Sequence, residues 1–306
     1  MCAMMRMTDI CFIILNYNGF PETKELVESL KSWNQEKLTF QAIVVDNCST
    51  DHSFEQLSEC FSTTSYTDII RSEKNGGYSY GNNFGARYAI EKYAPQFIAI
   101  ANPDIQIDQD MVIELLKTFQ VDQSIAMVAP AMKNTKGEYR LYSQRLPTFY
   151  DDFRACWTEK APPSVITENY KTIPGHENMI LTEILPGSFF AVKASCFQEA
   201  GMLDEGVFLF CEERIIGKRF KDLGYKLILR SDLFFVHAHG VTIKKAMDNL
   251  KTWKIIWRSR IYYQKEYNKE NKQKLALLHF GAWYFLKTLP IKSKLHDWKH
   301  ARSNNA

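Results

Sequence analysis

Short apolar runs alternate with segments of helical spacing through the first 130 residues. Residues 10–15, 41–46, Thr67–Arg71, Phe97–Ala101 and 125–129 read as strands, and each is set apart from the next by polar turns and a helix-period stretch. Such alternation builds right-handed crossovers, so the chain is expected to form a mostly parallel, Rossmann-like α/β sheet with helices on both faces. Ligands in open sheets of this kind sit outside the carboxyl ends of the strands. The residues that end the strands therefore carry most of the functional information.

Three of those ends are polar. The first run stops at Asn16-Tyr17-Asn18-Gly19, the second at Asp46, and the fourth at Asn102-Pro103-Asp104. Proline cannot continue a strand ladder, so it fixes the turn and with it the carboxylate of Asp104. By itself Asn-Pro-Asp also reads as a turn with an Asx cap. Two strand-end carboxylates with the Gly/Asn-rich loop Asn75-Gly76-Gly77-Tyr78-Ser79-Tyr80-Gly81-Asn82-Asn83 between them make a constellation, one suited to a metal and a nucleoside diphosphate. That loop has neither GxGxxG directly after a strand nor GxxxxGK[ST], so a dinucleotide or P-loop site is not supported. Ser49 or Thr50 is positioned to cap the helix that follows the second strand.

The second half is less regular. Residues 133–181 hold hairpin-like and irregular segments, including a loop at Ala161-Pro162-Pro163, and read as a variable, acceptor-facing region. Order returns with a strand over 185–192 and a helix to about 200. Phe208-Leu209-Phe210-Cys211-Glu212-Glu213 then places two acids at a helix start. Acids in a first turn suit the helix dipole, and a carboxylate at a sheet mouth also suits a general base. A strand pair over 226–229 and 233–236 ends at His237, a potential metal ligand and equally a hydrogen-bonded structural residue.

Seven motifs in order now resemble family-2 glycosyltransferases: ILNYNG (14–19), VVDNCSTD (44–51), NGGYSYGNN (75–83), NPD (102–104), PGSFFAVK (186–193), FLFCEE (208–213) with Arg219 and Gly224-Tyr225, and HAHGVT (237–242). The pattern is most similar to the bacterial rhamnosyltransferase-like branch that builds capsule and O-antigen glycans, and it covers about residues 9–265. The resemblance implies a GT-A fold and inverting, single-displacement transfer of a sugar from a UDP- or dTDP-linked donor to a hydroxyl of a lipid-linked or growing surface polysaccharide. It implies that Leu15, Tyr17, Asn18, Asp46, Asn75, Gly76, Gly81, Asn82 and Asn102 border the nucleotide sugar, with Asp46 on the nucleoside. By the same analogy Asp104 and His237 hold a divalent metal, Mg or Mn, and Glu213 or Glu212 is the catalytic base. The chain departs from the family pattern at Asn102, which stands for the first acid of the metal motif. It departs again at Glu213, which stands for an aspartate, and at Ile215, which replaces a following acid.

Residues 1–240 are expected to form the catalytic domain, with a donor half over 9–130 and an acceptor half over 131–240. Residues 241–306 form a tail with 15 Lys and Arg against 4 Asp and Glu, a net +11, which leaves −8 on the body. Leu250, Trp253, Trp257 and Ile261 recur there at helical spacing among Lys251, Lys254, Arg258, Arg260 and Lys265. A second greasy stretch, 275–289, precedes Lys292, Lys294, Lys299 and Arg302. This pattern is expected to dock on an anionic membrane surface; packing of the aromatics on the catalytic domain is the competing reading.

The seven cysteines are scattered without a CxxC pair, and the first 15 residues lack a signal-peptide pattern, so a cytoplasmic protein on the inner face of the membrane is expected. The acidic body disfavours nucleic-acid binding. A homodimer stays open, as does an inactive homologue serving as a membrane-bound partner in a glycan-assembly complex. A sugar-nucleotide pyrophosphorylase would need a glycine-rich opening after the first strand, which is missing.

Overall fold

The structure is a computed structural model that describes residues 8–140, 144–158, 171–237 and 249–303. The Ala161-Pro162-Pro163 loop and all of HAHGVT after His237 lie outside the described residues, as do Cys2 and Lys244.

Four parallel strands form the first half of the sheet: β1 (Ile10–Asn16), β2 (Phe40–Asp46), β3 (Thr67–Arg71) and β4 (Phe97–Ala101), in the order β3-β2-β1-β4. Their apolar runs are buried between two helical layers, so β1, β2 and β4 are nearly inaccessible. The intervening helices are α1 (Phe20–Ser29), α2 (Ser53–Cys60) and α3 (Tyr78–Tyr93). Small residues let α3 approach the sheet closely. A Cβ on Gly81 would stand 2.3 Å from Leu15 Cδ1, and one on Gly85 would stand 2.5 Å from Val45 Cγ2.

The ladder then changes direction. A short β5 (Ile105–Gln106) and α4 (Gln109–Val121) lead to β6 (Ile125–Lys133), which pairs with β7 (Tyr139–Arg140). After α5 (Phe149–Ala155), strands β8 (Thr172–Ile173) and β9 (His176–Thr182) form the far edge. β10 (Phe189–Lys193) inserts antiparallel between β4 and β6. α6 (Ala194–Glu199) and α7 (Glu212–Asp222) precede β11 (Lys226–His237), which runs parallel to β6. The expected strand pair over 226–236 is thus one strand, with a register shift between Arg230 and Phe234 that absorbs the polar Ser231-Asp232 step.

The expected cap at Ser49 or Thr50 is not used. α2 begins at Ser53, after His52 in a left-handed conformation, because Asn16 and Asn18 take up the Ser49 hydroxyl. Nor is the first tail helix presented as an apolar face to solvent. In α8 (Asn249–Glu266), Trp257 is 2% and Tyr263 0% exposed. Trp257 packs with Phe149, Cys156, Leu278 and Phe285 in a cluster shared by α5 and α9 (Lys272–Ser303), so the 250–261 stripe is largely spent on the protein interior. Exposed aromatics occur instead along α9 at Phe280, Trp283 and Tyr284, beside Leu277 and the Trp157 that follows α5. Among the described residues, no helix is long and apolar enough to cross a membrane.

Candidate functional site

The carboxyl ends of β1, β2 and β4 open onto a cavity of about 680 Å³. This is the size class of small-molecule sites. Leu15, Tyr17, Asn75, Asn102, Asp104, Glu212, Glu213 and His237 all line it, so eight of the residues singled out from sequence meet in one place.

The donor-side rim is held by amide side chains. Asn16 Nδ2 donates to Asp46 Oδ2 (2.9 Å) and to Ser49 Oγ (3.2 Å), while Thr23 Oγ1 donates to Asn16 Oδ1. Asn47 continues the seam: its Nδ2 donates to Asn75 Oδ1 (3.1 Å) and to the Gly77 carbonyl (3.2 Å). These bonds staple β1, β2 and the glycine loop into a fixed wall.

Five of the expected donor-binding residues are not among those lining the cavity. Asp46 is fully buried, with its carboxylate taken up by Asn16, by the Ser49 amide and by Arg71 at 3.5 Å. Asn18 bonds to Thr50 at the surface. Asn82 is buried and donates to the Tyr78 carbonyl. Gly76 lies against the Tyr80 ring and Gly81 against Leu15. In this structure these five shape the cavity without facing it, since a parallel strand end needs buried polar partners as much as a ligand does.

At the opposite wall the antiparallel strands do the positioning. β10 starts beside the end of β4, with Phe189 opposite Ala101, and the Asn102 amide donates to the Ser188 carbonyl at 2.8 Å. β11 runs back along β5 with His237 opposite Ile105. This register puts His237 Nε2 3.1 Å from Asp104 Oδ1, with side chains only 12% and 6% exposed. The sheet pairing brings together two residues 133 positions apart.

The two glutamates open α7 on a strained turn. Phe210 and Cys211 are both left-handed, with φ of 68° and 72°. A non-glycine residue in that region costs on the order of 1–3 kcal/mol, so the turn must be over-determined by its surroundings. Gly77 supplies one constraint: at φ 94° its backbone approaches Phe208 so closely that a Cβ would stand 2.1 Å from the Phe208 carbonyl oxygen. That carbonyl accepts from the Tyr78 amide at 2.8 Å.

Burial holds the Glu212 carboxyl well above the usual carboxylate range, and the neighbouring Glu213 adds to the shift. Its Oε1 is enclosed with no hydrogen-bond partner among the described residues. Glu213 is only half-buried and faces Gly187, where a Cβ would come within 2.5 Å of its Oε1. Burial raises its carboxyl as well, opposed by its own backbone amide, the Arg214 charge and the Gly187 backbone. Of the two, Glu213 is the one free to reach a ligand.

Tyr78 joins the two walls. Its hydroxyl donates to the Gly187 carbonyl at 2.6 Å and lies 3.2 Å from Asn102 Oδ1. Burial, then Glu213 and Glu212, push its phenol well above the ordinary tyrosine range, so it serves as a neutral donor. Sequence reasoning named the Tyr78 loop but not Tyr78, and passed over Asn47, Gly187 and Arg214. Their adjacency to strand ends or to the paired acids was the available signal.

The sequence profile of glycosyl transferase family 2 matches residues 11–197, well over half of the chain. The chain belongs to glycosyl transferase family 2. Within this family it is 28% identical over 209 residues to the low-salt glycan biosynthesis hexosyltransferase Agl10 of Haloferax volcanii, a match over 67% of this chain and 59% of that protein. It is 23% identical over 223 residues to the rhamnosyltransferase WbbL of Escherichia coli K12, a match over 71% of this chain and 79% of that protein. The family-2 chain thus spans about three-fifths of the length of the first relative.

Solved glycosyltransferases share its fold. A Pyrobaculum calidifontis mannosyltransferase in complex with GDP-Man and Mn2+ superposes with a TM-score of 0.56 at 14% identity, over 90% of this chain and 69% of its own. GalNAc-T7 with UDP, GalNAc and Mn2+ gives 0.60 at 15% identity, over 95% of this chain and 58% of its own. Residues 1–349 of S. aureus TarS with UDP-GlcNAc give 0.53 at 15%, over 89% and 70%. The fold is GT-A.

Proposed function

We propose that the protein is an inverting glycosyltransferase that moves a sugar from a nucleotide-diphosphate donor to a hydroxyl of a lipid-linked or growing surface polysaccharide. The observation that carries this reading is the single cavity in which Glu213 and the Asp104–His237 pair both stand, with the stapled glycine loop as its rim. In the reaction, Glu213 takes the proton of the acceptor hydroxyl as its oxygen attacks the anomeric carbon. The bond from that carbon to the diphosphate oxygen breaks, and the nucleoside diphosphate leaves. Tyr78, by tying Gly187 to the α3 end of the cavity, fixes the backbone against which Glu213 lies.

A carboxylate and an imidazole 3.1 Å apart on the cavity wall fit a divalent ion, Mg or Mn, that completes its coordination with phosphate oxygens and water. Among the described residues there is no group of three or more such ligands, and Asp104 and His237 are the described pair that would hold the ion. When bound, the ion supplies positive charge to the leaving diphosphate. The Mn2+ and nucleotide complexes of the structural neighbours support this reading.

The exposed stripe Leu277, Phe280, Trp283 and Tyr284 on α9 lies in the strongly basic tail. It supports peripheral docking on anionic lipid at the cytoplasmic face of the cell membrane, beside a lipid-linked acceptor. The transfer reading is tested with Glu213→Gln, which should lower transfer by about 10²–10⁴-fold while donor-induced thermal stabilisation persists. Full transfer by that variant would overturn the assignment. A screen of UDP-, dTDP- and GDP-sugars with and without Mn2+ identifies the donor.

A further inference from the structure

Arg214 follows Glu213 and also lines the cavity. Its Nη1 lies 3.0 and 3.2 Å from the two carboxylate oxygens of Asp152, a fully buried acid on α5. Asp152 also accepts from Gln264 Nε2 at 2.7 Å and faces Arg260 Nε at 3.6 Å, both on α8. The guanidinium beside the paired acids is therefore held by Asp152, and Asp152 in turn is held by two side chains from the tail.

The charges of this cluster do not balance by themselves. Asp152 offsets one of the two guanidiniums, and an uncompensated buried charge is costly. Glu213 is the adjacent residue on the helix and lines the same cavity as Arg214, whose charge opposes the upward push that burial gives the Glu213 carboxyl. The same helix also touches the strained turn ahead of the acids: Ser259 Oγ donates to the Leu209 carbonyl at 2.8 Å, and Tyr263 packs with Val207 and Ile215. α8 thus braces the start of α7 both behind Arg214 and before Glu212.

We propose that Arg214, locked by an Asp152 that Gln264 and Arg260 of α8 hold in place, is a positioning residue for Glu213, which makes α8 a working part of the transfer site. The inference rests on Glu213 being the base. Among the described residues, the charged and titratable groups facing Glu213 are Glu212 and Arg214 from its own helix and Tyr78 from α3. Arg214 is the one positive charge among them and favours the carboxylate.

The test compares Arg214→Gln, Arg214→Lys and Asp152→Asn with Glu213→Gln in the full chain. Folding is checked by thermal melting and by stabilisation with UDP, dTDP or GDP. Arg214→Gln should lower kcat by about tenfold or more, leave the donor KM within about twofold, and move the ascending limb of the kcat profile to higher pH. Arg214→Lys should recover part of the rate and return the limb toward lower pH. An Arg214→Gln enzyme with an unchanged rate and limb would overturn the inference, as would a folded Arg214→Lys enzyme no better than Arg214→Gln. Should Arg214→Gln fail to fold, Asp152→Asn decides: a lowered kcat with retained donor KM supports the clamp, and an unchanged kcat sinks it. Glu213→Gln keeps the two questions apart. If it is inactive while Arg214→Gln is normal, only the positioning role fails; if it transfers normally, the base assignment itself fails.

Discussion

The backbone of Gly187 lies against the carboxylate of Glu213, so that a Cβ at position 187 would stand 2.5 Å from Glu213 Oε1. The atom displaced by Gly187→Ala is the end of a side chain, so the fold should tolerate the change within about 1 kcal/mol. Glu213, the proposed base, would however be moved. Misplacement of a reacting group by about 1 Å costs around 100-fold in rate, and steady-state kinetics beside a melting curve should show that loss in kcat with little change in Tm.

Glu212 is a buried acid with an unpartnered oxygen, and its raised carboxyl value has a consequence for stability. The folded state binds its proton more tightly than the unfolded chain, so the acid's contribution to stability is best at low pH. It declines as pH rises from the ordinary glutamate value of about 4.3 toward the higher folded value. Glu212→Gln should therefore raise Tm near pH 7 and lose that advantage near pH 4. An equal gain at both pH values would show that desolvation of the charge is not the cause.

Asp104 and His237 are expected to govern the response to metal. Removing divalent ions with a chelator should reduce the stabilisation that a nucleotide sugar gives to the protein. Asp104→Asn and His237→Ala should each weaken Mn2+-dependent stabilisation by about tenfold or more, as loss of ligation does. Wild-type Mn2+ titrations from both variants would exclude the pair as ligands.

Gly77 combines a left-handed φ with the approach to Phe208. Gly77→Ala meets backbone rather than a flexible side chain, so it should cost on the order of 1–3 kcal/mol and loosen the Phe210-Cys211 turn. Denaturant unfolding measures the first effect, and a fall in kcat reports the second.

The α9 stripe can be separated from catalysis. Phe280→Asp with Trp283→Asp alters two exposed side chains, 57% and 55% accessible, and should change stability little. Flotation with anionic liposomes should drop sharply, whereas transfer to a soluble acceptor should be unaffected. Equal flotation by both proteins would remove α9 as the docking face.

Much of the sheet was legible because continuous apolar runs bounded by turns read unambiguously: Thr67–Arg71 and Phe97–Ala101 are strands to the residue. The errors have physical causes. Ser49 looked like a cap, but long-range partners at Asn16 and Asn18 outbid the local helix for its hydroxyl. The 250–261 stripe fitted both an interfacial helix and a buried one, and only the packing of Trp257 against α5 and α9 decided between them. Asp152 lay in the stretch with the weakest periodicity, and its role depends on arginines 62 and 108 residues later, which local pattern does not register. The cavity's acids were found because turn and helix-start chemistry is local. The groups that orient them were missed because they act across the fold.

β10 runs against its neighbours in the centre of the sheet, bonded to β4 on one side and β6 on the other. The two halves of the chain are therefore laced by one shared ladder. The wall that carries the Asp104–His237 pair is then set by backbone register, as one jaw of a vice is set in its casting, while Glu213 at the start of α7 is set by the turn before it and by what packs around it. Loops at the rim can vary without altering that wall.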